Sequence, residues 1–151
     1  MAREIERKFL LKQLPPNLGH LRKEVIAQGY LVAGRDGTQV RLRKGGRRYS
    51  LTLKRGRGFE RDEIEVGLTR VQFAQLWPAT AGFRLYKTRY RVPWRKHLVE
   101  IDVYSGENRG LVVAEVEFRN VRDCRRFQAP DWFGREVTGE WRYSNVRLAR
   151  E

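Results

Sequence analysis

From its fourth residue onward the chain places charged and apolar side chains at alternate positions, in one stretch after another. A period of two sends successive side chains to opposite faces of an extended backbone, so these stretches read as two-faced β-strands. Glu4-Ile5-Glu6-Arg7-Lys8 sets the pattern: Glu4, Glu6 and Lys8 share one face, and the stretch runs on into Phe9-Leu10-Leu11. Further strands are predicted over 24–32, 38–44, 47–54, 59–66, 83–92, 96–104 and 110–118, all rich in Val, Ile, Leu, Tyr and Thr. Gly34-Arg35-Asp36-Gly37, Gly45-Gly46, Gly56-Arg57-Gly58, Pro93-Trp94-Arg95 and Ser105-Gly106-Glu107-Asn108 separate them as turns, which makes the neighbours antiparallel hairpins.

Helices are few. Thr69 is a predicted N-cap for a short helix carrying Val71, Phe73, Ala74, Leu76 and Trp77, ended by Pro78. Residues 121–127 are expected to be helical, 130–139 a loop, and Ser144 caps a final helix through Arg150. At 151 residues the chain is expected to form one domain, residues 1–151, below the size at which chains usually split. The expected fold class is mainly β (α+β), with eight antiparallel strands forming a barrel or a sandwich.

Read in phase, one face of these strands collects Glu4, Glu6, Lys8, Arg41, Arg43, Thr52, Lys54, Glu63, Glu65, Lys87, Arg89, Arg91, Glu100, Asp102, Glu115 and Glu117. The other collects Val40, Leu42, Leu51, Leu53, Ile64, Val66, Tyr86, Tyr90, Val99, Ile101, Val112, Ala114, Val116 and Phe118. Two structures obey this division. An open sheet would turn its charges to water. A sheet curled the other way would enclose them in a polar lumen and pack its apolar outside under helices, at a cost of several kcal/mol for each desolvated unpaired charge. Acidic pairs and basic pairs cluster by strand, where a face kept merely soluble would alternate them, and this favours the enclosed lumen. Lys8, Arg41, Arg43, Lys54, Lys87 and Arg89 oppose eight carboxylates, a balance of −2 that two divalent cations would turn into +2. Carboxylates beside cations suit a divalent metal carrying a polyanion.

The formal charge of +14 and a pI near 10.7 call for an anionic partner: nucleic acid, a phosphate-rich metabolite or an anionic membrane. Cys124 is the single cysteine, so the fold rests on packing, and a reduced, cytoplasmic setting is expected. Met1 leads directly into a charged strand, and no apolar run approaches the ~18 residues that span a bilayer, so no membrane role is expected.

The chain resembles the CYTH superfamily, the triphosphate tunnel metalloenzymes. Glu4, Glu6 and Lys8 match its ExExK signature. Gln28-Gly29-Tyr30-Leu31, the RxR of Arg41 and Arg43, Leu51-Thr52-Leu53-Lys54 and the ExE of Glu63 and Glu65 continue the series. Lys87-Thr88-Arg89-Tyr90, Glu115-Val116-Glu117-Phe118 and the closing segment from Glu136 to Asn145 complete it in order across nearly the whole chain.

The resemblance implies an eight-stranded antiparallel barrel forming a tunnel, with the charged face inward and the helices outside. It implies that Lys8, Arg41, Arg43, Lys54, Lys87 and Arg89 grip phosphate oxygens, and that Glu4, Glu6, Glu115 and Glu117 hold Mg²⁺ or Mn²⁺, with Glu63, Glu65 and Asp102 completing the shell. Family members are adenylyl cyclases of class IV, thiamine triphosphatases, RNA triphosphatases and tripolyphosphatases. The short chain is most similar to the compact bacterial tripolyphosphatases, which hydrolyse inorganic triphosphate to pyrophosphate and phosphate. In such proteins a lysine and a tyrosine, here Lys87 and Tyr30, are suggested to prepare water for attack, although Lys87 could equally be a further phosphate clamp. The resemblance leaves a homodimer open.

A basic nucleic-acid-binding barrel, or a non-catalytic polyphosphate binder, is the competing class, since +14 and seventeen aromatic residues suit a stacking groove. Eight carboxylates on the same face have no use there. His20 and His97 lack metal-ligand spacing and are expected at the surface or in turns, and Cys124 is expected to be inert. Trp77, Trp94, Trp132 and Trp141 are expected to pack outside the barrel more readily than to stack on a ring in a ligand. Arg47, Arg48, Arg55, Arg57, Arg125 and Arg126 are expected to form a basic exterior that draws polyanions in.

Overall fold

The computed structural model describes residues 2–16, 18–56 and 60–150. The strands are β1 (Ala2–Leu11), β2 (Lys23–Ala33), β3 (Gln39–Gly45), β4 (Arg48–Arg55), β5 (Glu60–Leu68), β6 (Arg84–Trp94), β7 (His97–Ser105), β8 (Val112–Glu117) and β9 (Phe133–Glu136). The helices are α1 (Arg70–Leu76), α2 (Val121–Arg126) and α3 (Asn145–Ala149). Arg57, Gly58 and Phe59, expected in a turn and at the start of a strand, lie outside the described residues.

Eight strands close into an antiparallel barrel. The order β5-β4-β3-β2-β6-β7-β8-β1 is joined end to end by pairing of β5 with β1. Closure pairs these eight strands all the way round, and the alternation then divides the residues between lumen and exterior. The open-sheet alternative is thereby set aside.

The expected loop over 130–139 contains a strand, and the reason lies in β1. On one side β1 pairs with β8 from Glu6 to Leu10; on the other, β5 covers only Ala2 to Ile5. The rest of that edge would expose unpaired backbone groups, and β9 fills it, pairing Phe9 with Glu136 and Leu11 with Phe133. Val137 N–H then donates to the Lys8 carbonyl at 2.8 Å.

The exterior core lies over β1, β7 and β8, where Ile5, Phe9, Val99, Ile101, Ala114, Val116 and Phe118 pack with Cys124 and Phe127 at α2 and Phe133 of β9. Helix α1 starts at Thr69 with a capping box closed by Gln72, and its Phe73 stacks between Tyr49 and Trp77. A second cluster uses inward residues: Tyr30, Leu85, Tyr104 and Val113 pack with Val146 and Ala149 of α3. The lumen is therefore charged along part of its length and apolar where α3 meets it. Trp77, Trp94 and Trp132 pack as expected, whereas Trp141 is 56% exposed and borders the lumen. His97 packs edge-on against Phe118 and Phe127. Among the described residues no helix is long and apolar enough to cross a membrane.

Candidate active site

The lumen holds a cavity of about 870 Å³. Period two carries Glu4, Glu6 and Lys8 from β1, Tyr30 from β2, Arg41 and Arg43 from β3 and Lys54 from β4 into its wall. Glu63 and Glu65 of β5, Arg89 of β6, and Glu115 and Glu117 of β8 complete the set expected from the sequence. Lys87 and Asp102 do not line the cavity; they are buried beside it, 1% and 0% exposed.

Strand register decides which charges meet. Glu6 stands opposite Glu117 and Lys8 opposite Glu115 across β1 and β8, and Arg89 opposite Asp102 across β6 and β7. Lys54 Nζ lies 3.1 Å from Glu4 Oε1, and Lys8 Nζ lies 3.5 Å from Glu115 while donating to the Tyr143 carbonyl at 3.2 Å. Arg61 donates to both Glu4 and Glu6.

Asp102 departs from its expected role as a metal ligand. Its Oδ1 accepts from Arg89 Nε at 2.7 Å, and its Oδ2 accepts from Lys87 Nζ at 2.7 Å and Arg89 Nη2 at 2.9 Å. Cations take three of its roughly four lone-pair positions, and it is 0% exposed and does not line the cavity. Burial pushes the Asp102 carboxyl up, but Lys87 and Arg89 more than reverse this and hold it below its ordinary value. The Lys87 ammonium is lowered to about 7, first by burial and then by Arg89 and Arg43, against the pull of Asp102.

The cations expected to grip phosphate divide into two kinds. Lys8, Lys54, Lys87 and Arg89 have carboxylate partners. Arg41 and Arg43 have none among the described residues. Arg41 is 5% exposed, and its Nε is buried without a hydrogen-bond partner. Arg43 Nε and Nη2 donate to the neutral Gln28 Oε1 at 3.0 and 2.9 Å, and loss of solvent with Arg41 and Arg89 nearby lowers its guanidinium to about 10. Gln28, its Oε1 taken by Arg43, turns its Nε2 to donate to Tyr30 Oη at 2.8 Å. The Tyr30 hydroxyl, accepting from Gln28, keeps its own proton to give elsewhere.

The acidic wall is under repulsion. Burial, then Glu115 and Glu4, raise the Glu6 carboxyl above its ordinary value, although Lys54 and Arg61 oppose them. Burial with Glu4, Glu6 and Glu100 raises Glu117. Glu115 goes the other way: Lys8, Arg89 and Lys87 overcome its burial and hold it well below the usual carboxylate range. Among the described residues no three Asp, Glu, His or Cys side chains converge as a ready-made metal cluster. The donor set nevertheless fits a hard divalent cation, since Glu4, Glu6 and Glu117 offer carboxylate oxygens whose mutual repulsion such an ion would relieve.

Sequence reasoning missed Arg61 and named Gln28 only within a motif, with no role of its own. Both were readable, since Arg61 precedes Glu63 by two residues and Gln28 precedes Tyr30 by two. Thr138, whose Oγ1 accepts from the Lys8 N–H at 3.0 Å, had no such signal.

The family model of the CYTH domain matches residues 2–146. An inorganic triphosphatase of Nitrosomonas europaea is 43% identical over 148 residues, covering 97% of this chain and 96% of its own length. An inorganic triphosphatase of Acetivibrio thermocellus is 35% identical over 161 residues, covering 99% and 95%. The crystal structure of an inorganic triphosphatase matches with a TM-score of 0.72 and 41% identity, over 100% of this chain and 97% of that one. A conserved protein of Pyrococcus furiosus, 18% identical with a TM-score of 0.60 over 78% and 79% of the two chains, shares the fold.

Proposed function

The chain belongs to the CYTH domain family, and on that premise we propose that its barrel hydrolyses inorganic tripolyphosphate to pyrophosphate and phosphate with the help of Mg²⁺ or Mn²⁺. The observation that carries this reading is the pair of lumen arginines, Arg41 and Arg43, which have no carboxylate partner among the described residues while the opposite wall is rich in carboxylates. A desolvated guanidinium without a counter-charge favours an anion, and its planar fork suits phosphate oxygens.

Arg41 and Arg43 are assigned the first grip on the triphosphate, joined by Lys8, Lys54 and Arg89 as the substrate competes for them with their carboxylates. Glu4, Glu6, Glu115 and Glu117 are assigned to the divalent cation, with Glu63 and Glu65 supporting them. When bound, that cation would offset the roughly four to five negative charges of a triphosphate that otherwise repel a nucleophile. Lys87 is assigned the general base, a role in which its amine must turn from Asp102 to the adjoining cavity to reach the water. Arg89 holds both oxygens of Asp102, so Lys87 can lose its proton without leaving that carboxylate unpaired. Tyr30, hydrogen-bonded by Gln28, is assigned with Lys87 to prepare the attacking water. Residues 1–151 are taken as one tunnel domain acting in the cytoplasm on a small polyanion, with no specific nucleic acid and no membrane as partner.

Trp141, exposed at the cavity border, could stack on a nucleobase or thiamine ring, which keeps the cyclase and thiamine triphosphatase activities in the test. Phosphate release from tripolyphosphate, ATP, thiamine triphosphate and long-chain polyphosphate is measured with Mg²⁺ or Mn²⁺, and ATP is assayed for cyclic AMP. Tripolyphosphate should have the highest kcat/KM. Faster release from ATP or thiamine triphosphate, or formation of cyclic AMP, would replace the assignment.

A further inference from the structure

Arg61 stands opposite Glu4 in the β1–β5 register and reaches both carboxylates of the ExExK motif. Its Nη2 donates to Glu4 Oε1 at 2.7 Å and to Glu6 Oε1. Its Nε is buried without a partner, so these ties are made at the tip of the side chain. Glu4 also has Lys54, but Arg61 is the one ion-pair partner of Glu6 among the described residues. A divalent cation would approach these carboxylate oxygens to about 2.0–2.6 Å, and a guanidinium N–H on the same oxygens blocks that approach.

We propose that Arg61 is a built-in competitor for the divalent cation: it neutralises Glu4 and Glu6 in the cation-free protein and is displaced from them when the cation binds. The displaced guanidinium still lines the same cavity, where a bound triphosphate offers it an anion other than the carboxylates assigned to the cation. Cation loading thereby frees a sixth phosphate clamp, and by linkage each ligand favours the other. This rests on the reading that Glu4 and Glu6 hold the cation.

The test is direct Mn²⁺ binding without substrate, followed by the electron paramagnetic resonance signal of free Mn²⁺. Arg61→Gln should bind Mn²⁺ on the order of tenfold more tightly than wild type, as loss of a competing charged hydrogen bond predicts. Arg41→Gln removes the same charge from a residue that touches no carboxylate, and should tighten binding by no more than about two- to threefold, the effect of a distant charge. An Arg61→Gln variant that binds Mn²⁺ as wild type does, more weakly, or no more tightly than Arg41→Gln overturns the proposal. Arg61→Lys keeps the charge but loses the two-carboxylate fork, so it should also bind more tightly than wild type, and it decides between the same two outcomes if Arg61→Gln fails to fold. Glu4→Gln and Glu6→Gln separate the premise from the inference. If neither weakens Mn²⁺ binding, the cation reading itself falls; if they do while Arg61→Gln leaves it unchanged, only the competitor falls.

Discussion

Lys87 has neighbours that pull its proton in opposite directions. Asp102, at 2.7 Å, favours the ammonium, while burial, Arg89 and Arg43 disfavour it and prevail, lowering it to about 7. The neutral amine a base requires is then abundant near neutral pH, where an ordinary lysine would be protonated. As a base, Lys87 should make kcat/KM rise with pH through about 7. Lys87→Ala should remove that ionisation and cut kcat by ~10²- to 10⁴-fold with little change in KM. Lys54→Ala, which removes a clamp, should mainly raise KM and keep the ionisation. Equal, modest rises in KM with an unchanged pH profile would make Lys87 a clamp and leave the water to the metal. The same shift affects stability: between about 7 and 10.5 the unfolded chain binds more protons at Lys87 than the folded one, so its contribution to stability increases with pH across that window. Alternation put Lys87 and Arg89 on one face in the sequence. That both meet Asp102 follows from the β6–β7 register, which no single strand encodes, and this is why Asp102 was expected among the metal ligands.

At the scale of elements, strands with alternating faces and glycine-bearing turns were legible, as was the Thr69 cap of α1. β9 was not. It is four residues long, includes Gly134 and shows no run of alternation, and it is a strand because β5 leaves half of one β1 edge unpaired. Gly134 is needed for that closeness: a β-carbon there would sit 2.8 Å from the Leu10 carbonyl oxygen, a backbone atom that cannot swing aside. Gly134→Ala should push β9 away from β1. Overpacking of this kind costs about 1–3 kcal/mol, which in a chain of this size lowers the melting temperature by about 2–12 °C. Because Val137 and Thr138 follow β9 directly and hold the Lys8 backbone, KM for tripolyphosphate should rise more than kcat falls. Unchanged melting and unchanged KM would show that β9 contributes neither to the barrel nor to the placement of Lys8.

For the whole molecule, a net charge of +14 admits two kinds of anion, and the sequence alone cannot divide interior from exterior charge. Closure of the barrel makes that division. Most lumen cations are paired with carboxylates, and Arg41 and Arg43 are left to a ligand small enough to enter, whereas surplus arginines on strands and helices outside can only attract polyanions at a distance. A short polyphosphate and a nucleic acid should therefore stabilise the protein very differently. In excess chelator, which stops turnover, tripolyphosphate should raise the melting temperature with the logarithm of its concentration. At about 100 times its dissociation constant linkage supplies ~2.7 kcal/mol, a shift of about 5–10 °C. Pyrophosphate should give less and phosphate least, since each shorter chain reaches fewer clamps, and Arg41→Gln should lose most of the shift because it removes an uncompensated charge. A short RNA or DNA meets only the basic exterior, so its binding should be weak, indifferent to sequence and steeply lost as salt rises. Sequence-selective binding that survives about 0.2 M salt, together with no melting shift from tripolyphosphate, would mean that the working surface is the outside of the barrel and would reverse the assignment.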